Sequence, residues 1–161
     1  MSDHIRWALL SYRVPREPST PRIAVWRQLK RLGVAQLGDG LVALPLDART
    51  REQLEWVADE VRHAGGDATL WLAQTASAAH ERSLAAAMAT ARAAEYRAVI
   101  QEARAETAPD RRTVQRLRRE LRRINRRDHF PPPERDTAKA AVEALAARAS
   151  QTPADRGRGR R

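Results

Sequence analysis

Residues 34–45 read VAQLGDGLVALP. Two short apolar runs flank Gly38-Asp39-Gly40. That tripeptide is a hairpin turn by chemistry, because Gly and Asp accept the positive φ that a tight strand connection needs. The question then becomes what the two strands of the hairpin pair with. Upstream, residues 5–14 (IRWALLSYRV) are apolar on both faces, as a central strand should be. REPSTP interrupts that run. Thr20 and Pro21 are expected to supply the N-cap and first position of a helix from Pro21 to Leu32. On its wheel Ile23, Val25, Trp26, Leu29 and Leu32 share one half, which predicts a core face that includes Trp26. Arg27 and Arg31 lie opposite, and Gly33 can stop the helix. Downstream, Thr50-x-x-Gln53 reads as a capping box for a second helix with Leu54, Val57, Ala58 and Val61 inward. Gly65-Gly66 ends that helix, and ATLWLA is a last strand. The order over residues 1–75 is therefore β-α-β-β-α-β. It predicts a ferredoxin-like α+β domain with two helices on one face of a four-stranded antiparallel sheet.

Residues 76–149 read as a helical region. An alanine-rich helix over 77–107 has Leu84, Met88, Ala91, Tyr96, Val99 and Ile100 on its apolar side. Pro109-Asp110 opens a basic helix over 110–128, and HFPPP closes it. A last helix is expected from Asp136 or Thr137, with Val142 and Leu145 inward. Residues 150–161, SQTPADRGRGRR, have no large apolar side chain and read as a disordered basic tail.

The formal net charge is +10, and its location is informative. Residues 1–75, 76–108 and 129–149 are close to neutral. Residues 109–128 hold nine arginines, Arg111, Arg112, Arg116, Arg118, Arg119, Arg122, Arg123, Arg126 and Arg127, against Asp110, Glu120 and Asp128. With Val114 at 0°, Leu117, Leu121 and Ile124 fall between about 280° and 340°, and every arginine falls between about 40° and 220°. A solvated helix face usually mixes signs, since each i,i+4 ion pair adds roughly 0.2–0.5 kcal/mol. Like charges packed together instead fit a polyanionic partner, so these nine arginines are the candidate nucleic-acid contacts. The apolar stripe is too narrow for membrane insertion, and no membrane partner is expected.

Catalytic chemistry has little to build on. There is no cysteine, which removes disulfides and thiolate metal sites and fits a cytoplasmic protein. His4, His63, His80 and His129 are not at metal-ligand spacing, and there is no phosphate-binding glycine loop and no nucleophile elbow. Neither a catalytic site nor a cofactor or metal is expected. No segment has the form of a signal peptide or a membrane span.

The run 7–45 resembles the N-terminal domain of the ChrB chromate-resistance regulators. Its marks are Tyr12-Arg13-Val14-Pro15, Glu17-Pro18-Ser19, Arg22, Val25-Trp26-Arg27 and Leu29-Lys30-Arg31-Leu32-Gly33. Asp128-x-Phe130 and the arginine helix look like the end of that domain, so the likeness runs from about residue 5 to 148. The resemblance implies a DNA-associated transcriptional regulator of chromate efflux, and it raises an oxyanion such as chromate as a ligand. Tyr12, Arg13, Arg22, Arg27, Lys30 and Arg31 then become a candidate anion site. Full-length members carry a further C-terminal domain of comparable size, so this chain is expected to be a stand-alone form. A more distant likeness, through S-Y-x-V-P at residues 11–15, is to the ferredoxin-like subunit of CRISPR adaptation complexes and to phenylacetate-operon repressors. The nuclease members carry a metal-binding aspartate where Arg13 stands here, which argues against cleavage chemistry. The alternatives to DNA binding are a homodimeric interaction module and, less favoured, a metal-dependent nuclease.

Overall fold

A computed structural model describes residues 4–151. The chain divides into two units: the residues up to Ala89 together with Arg127–Phe130, and Thr90–Arg126 together with the chain from Pro131 onward.

The first unit has the expected α+β order. It comprises β1 (Arg6–Arg13), α1 (Ser19–Leu32), β2 (Ala35–Gly38), β3 (Leu41–Pro45), α2 (Ala48–His63) and β4 (Asp67–Gln74). Sheet order is β2-β3-β1-β4, antiparallel throughout, so the doubly apolar strand β1 is central. Gly40 turns the hairpin at φ 68° and lies against the Tyr12 carbonyl, where a Cβ would clash. α2 packs on β1 and β4, and α1 packs on α2. Ala8, Leu10, Val42 and Leu44 share one core with Val25 and Leu29 of α1 and with Leu54, Val57, Ala58 and Val61 of α2. Trp7, Met88 and Phe130 belong to the same core.

Three local expectations need correction. α1 begins at Ser19 after Pro18, with no side-chain cap, so Thr20 and Pro21 sit inside the first turn. Proline is tolerated there because first-turn N–H groups have no intrahelical acceptor. Trp26 is 52% exposed and Ile23 is exposed too; α1 buries Val25 and Leu29 and half-buries Leu32. A half-wheel is wider than the stripe the fold covers, and the two apolar residues at one end of the arc, Trp26 and Ile23, lose. The capping box of α2 lies one turn earlier than expected. Asp47 Oδ1 accepts from the Thr50 N–H at 2.7 Å, and the Asp47 N–H donates to Thr50 Oγ1 at 2.9 Å.

The second unit is helical. Its elements are the later part of α3 (Ala78–Ala105), α4 (Arg111–Arg126) and α5 (Glu134–Gln151). Tyr96, Val99, Ile100 and Ala103 of α3 share a core with Val114, Leu117 and Ile124 of α4 and Ala138, Val142 and Leu145 of α5. Ala91 is exposed, and Ala93 and Ala103 are buried in its place. α5 starts two residues before Asp136 and takes in Ser150 and Gln151, which the sequence assigned to the tail. The remainder of the expected tail lies outside the described residues.

Candidate nucleic-acid interface

α4 is built to hold one face down. Asp110 accepts the Thr113 N–H at 2.7 Å and so caps the helix. That hydrogen bond, ahead of the nearby arginine charge, holds the Asp110 carboxyl below its ordinary range. The apolar stripe Val114, Leu117 and Ile124 is buried and Leu121 half-buried. At the far end of the helix the Tyr96 hydroxyl donates to Asn125 Oδ1 at 2.7 Å. On α5, Arg148 donates to the carbonyls of Glu106 and Ala103 at 2.9 and 3.0 Å, tying that helix to the end of α3. With the stripe fixed inward, the arginines must face out.

The structure sorts these arginines into two groups. Arg116 is paired with Glu102 of α3, and that hydrogen bond pushes its pKa further up. Arg118 reaches both carboxylate oxygens of Glu143 on α5, the nearer at 3.1 Å. Arg123 pairs with Glu120 at 3.3 Å. Among the described residues Arg111, Arg112, Arg119, Arg122 and Arg126 make no ion pair. On the wheel the paired arginines lie at about 40°, 180° and 200°, and the five others lie between about 60° and 160°. Carboxylates therefore line both flanks and leave an uncompensated ridge along the crest. It runs about 22 Å from Arg111 to Arg126 at 1.5 Å per residue. Gln115 is the neutral residue within it. Near its start Arg111, Arg112, Gln115 and Arg119 line a hollow of about 500 Å³. Farther along, Arg122 joins Arg135 and Lys139 beside Pro132, Asp136 and Glu143 around a groove of about 590 Å³. Arg127 falls just beyond α4, is half-buried, and belongs to the first unit.

Glu102 and Glu143 were not legible as partners, because they stand 14 and 25 residues from the arginines they neutralise. Nothing in a helical wheel of α4 can show a carboxylate supplied by another helix.

The candidate anion-site residues of the first unit are spread along β1 and α1. Tyr12 is half-buried at the end of β1, and burial raises its pKa. Its N–H donates to the Gly40 carbonyl at 2.8 Å. Arg13 is exposed at the next position. Arg22 stands in the early part of α1, whereas Arg27, Lys30 and Arg31 are exposed on its later half. The Lys30 ammonium lies 4.4 Å from the centre of the Trp26 ring, and α1 contains no acidic residue. Among the described residues there is no group of three or more His, Asp or Glu side chains placed to hold a metal ion. Among them, too, no helix is long and apolar enough to cross a membrane.

No curated protein and no solved structure matches the chain. The sequence model of the family described as Protein ChrB, N-terminal, matches residues 22–109. The match starts inside α1, takes in the sheet from β2 onward together with α2 and α3, and stops short of Asp110. The motif at residues 12–15 and the arginine ridge thus fall outside it. More than half of the 161 residues are nevertheless covered, and the chain belongs to the ChrB N-terminal family.

Proposed function

We propose that the chain is a non-catalytic, DNA-associated regulator of the chromate-resistance type, and that it grips the phosphate backbone through the crest of α4. Family membership supports the regulatory setting. The observation that carries the DNA reading is the ridge of Arg111, Arg112, Arg119, Arg122 and Arg126, five cations that no described carboxylate neutralises. A helix gains nothing in isolation from such crowding. It gains when phosphates take the place of the missing counter-charges and condensed ions are released. Guanidinium groups also hold phosphate oxygens in bidentate fashion. A ridge of arginine fixes position and orientation on a duplex, and sequence choice must come from elsewhere.

The test is duplex DNA binding across a salt series. Five arginine–phosphate pairs predict an affinity that falls by about 500-fold between 0.05 and 0.2 M monovalent salt. Changing Arg119 and Arg122 to Ala should lower the log–log slope by about 0.9 for each phosphate no longer held. Helix content should stay constant, since neither side chain touches the core. Binding that is flat with salt, or untouched by these substitutions, sinks the reading.

A further inference from the structure

The sheet ends in two strands of different character. β2 has four residues and a register shift between Gln36 and Gly38. β4 has eight residues, DATLWLAQ, in unbroken register with β1, and it contains no Pro, Gly, Lys or Arg. The direction of its free backbone groups follows from β1. The Tyr12 N–H donates to Gly40 and the Arg6 carbonyl accepts from Leu46, so even-numbered residues of β1 bond towards β3. Odd-numbered ones bond towards β4, where they meet Asp67, Thr69, Trp71 and Ala73. Ala68, Leu70, Leu72 and Gln74 therefore present their N–H and C=O groups to the open edge. One of these is occupied: the Arg62 guanidinium donates to the Ala68 carbonyl at 2.9 Å. Beside it Trp71 and Leu72 are 54% and 47% exposed. A long, largely apolar edge whose one charged residue, Asp67, stands at its start is a template for another strand.

We propose that β4 pairs antiparallel with β4 of a second copy of this chain, about a two-fold axis at Leu70, with Arg62 of each copy facing Glu55 of the other. The charges beside the strand favour this register over one centred on Trp71, and the cysteine cross-links described below fix it. α2 runs antiparallel to β4, and Arg51, Glu55, Asp59, Arg62, Leu70 and Leu72 all line one hollow of about 580 Å³ between them. Arg62 is anchored level with Ala68. At about 1.5 Å per helical residue and about 3.3 Å per strand residue, Glu55 comes level with residues 71–72 and Arg51 with residue 73. An axis at Leu70 sets Arg62 against the opposite Glu55, and Ala68 against the opposite Leu72. An axis at Trp71 sets Glu55 against Glu55 and Arg62 against Arg51, which repel. Asp59 lies near the Leu70 axis and pairs with Arg62 of its own chain at 3.0 Å, as Glu55 pairs with Arg51, so the contact across the axis joins two existing ion pairs into one network. The paired edges make one eight-stranded sheet and cover Leu72 and Trp71. The dimer stands independently of the reading of α4; if both hold, each assembly carries two arginine ridges and binds DNA bivalently.

The chain has no cysteine, so single cysteines report the register without background. Residues facing each other in a hydrogen-bonded antiparallel pair have Cα atoms about 5.5 Å apart, within disulfide reach. Under mild oxidation Leu70→Cys should cross-link the full chain into dimers, and Trp71→Cys should not. Sedimentation of the full chain without nucleic acid should give a dimer at about 100 µM. Leu72→Lys and Leu70→Pro should give monomers with unchanged circular dichroism, because the outward N–H of Leu70 is not used by β1. Glu55→Arg alone and Arg62→Glu alone should each weaken the dimer by at least about tenfold. Mixing the two variants should restore it, since each contact then joins opposite charges. A monomeric wild type, a dimer that needs added DNA, one that survives both edge variants, or cross-linking at Trp71→Cys instead of Leu70→Cys would overturn the proposal. So would capture of a different protein by a wild type that stays monomeric.

Discussion

α2 and α4 are helices of equal length, 16 residues each, and both bury a narrow apolar stripe. Their charges are managed in opposite ways. α2 mixes signs and neutralises itself: Arg51 pairs with Glu55 and Arg62 with Asp59. α4 carries eight arginines and one glutamate, and it borrows carboxylates from α3 and α5 for two of them. With Arg123 paired to Glu120 as well, five arginines remain along one crest, and they are the part on which the proposed DNA contact rests. Counting charges on a sequence overstates such a surface. Subtracting the pairs that the fold supplies gives its shape.

The comparison can be broken first at its common part. Leu54→Ala in α2 and Leu117→Ala in α4 remove side chains that are fully buried, and each should cost about 2–5 kcal/mol. Urea unfolding followed by circular dichroism checks this. A loss below about 1 kcal/mol at Leu117 would mean that α4 is not held down by its stripe, and its arginines would then have no fixed crest. The contrast in charge is sharpened by releasing the borrowed carboxylates. Glu102→Gln with Glu143→Gln should free Arg116 and Arg118 for phosphate and raise duplex affinity about fivefold for each at 0.15 M salt. A charge removal on α2 outside the hollow beside β4, Glu52→Gln, should leave DNA affinity where it was. A fall in affinity on releasing Arg116 and Arg118 would show those two pairs to be structural supports of the site.

The caps give a smaller effect. Asp47→Ala should cost about 1 kcal/mol, read from the same urea curves. The Thr50 N–H, first among several causes, holds the Asp47 carboxyl below its ordinary range. A carboxyl with a depressed folded pKa stabilises fully above its unfolded value of ~3.9, and that contribution is lost as pH falls through the folded value. The deficit of Asp47→Ala should therefore be constant from neutral pH down to about pH 5 and shrink below ~pH 4. A deficit that grows on acidification would reverse the assignment. Smallest of all, Trp26→Gln should change stability by less than about 0.5 kcal/mol, because half of that ring is in water. A loss of several kcal/mol would restore Trp26 to the core.

Much of the first unit was legible because its signals are local and redundant. Gly38-Asp39-Gly40 set the hairpin, and the doubly apolar run at residues 5–14 set the centre of the sheet. Strict spacing placed Leu54, Val57, Ala58 and Val61. Where the apolar set was wider than a helix can bury, as at Ile23 and Trp26, the wheel had no means of choosing. The stripe of α4 was legible for the opposite reason, since its apolar residues and its arginines never share a sector. Its counter-charges were not, because Glu102 and Glu143 reach it only through tertiary packing. The open edge at β4 was hidden too: ATLWLA reads as a strand, but strand order decides whether a strand has one neighbour or two.

Four residues beyond the arginine helix change what counts as a boundary. Arg127–Phe130 belongs to the first unit although 37 residues of the second precede it. The Phe130 ring lies tilted against Trp7 with centroids 6.0 Å apart, and His129 Nε2 lies 2.9 Å from the Leu32 carbonyl. Gly33, at φ 73°, is pressed against the Arg127 carbonyl, where a Cβ would have no room. The first unit is thus sewn shut by a stitch from far along the chain. A chain cut at Ala89, or at Pro109 where the family match ends, keeps all four strands and both covering helices and still loses its seam. Such a fragment would show the sheet's secondary structure with a Trp7 that quenchers can reach.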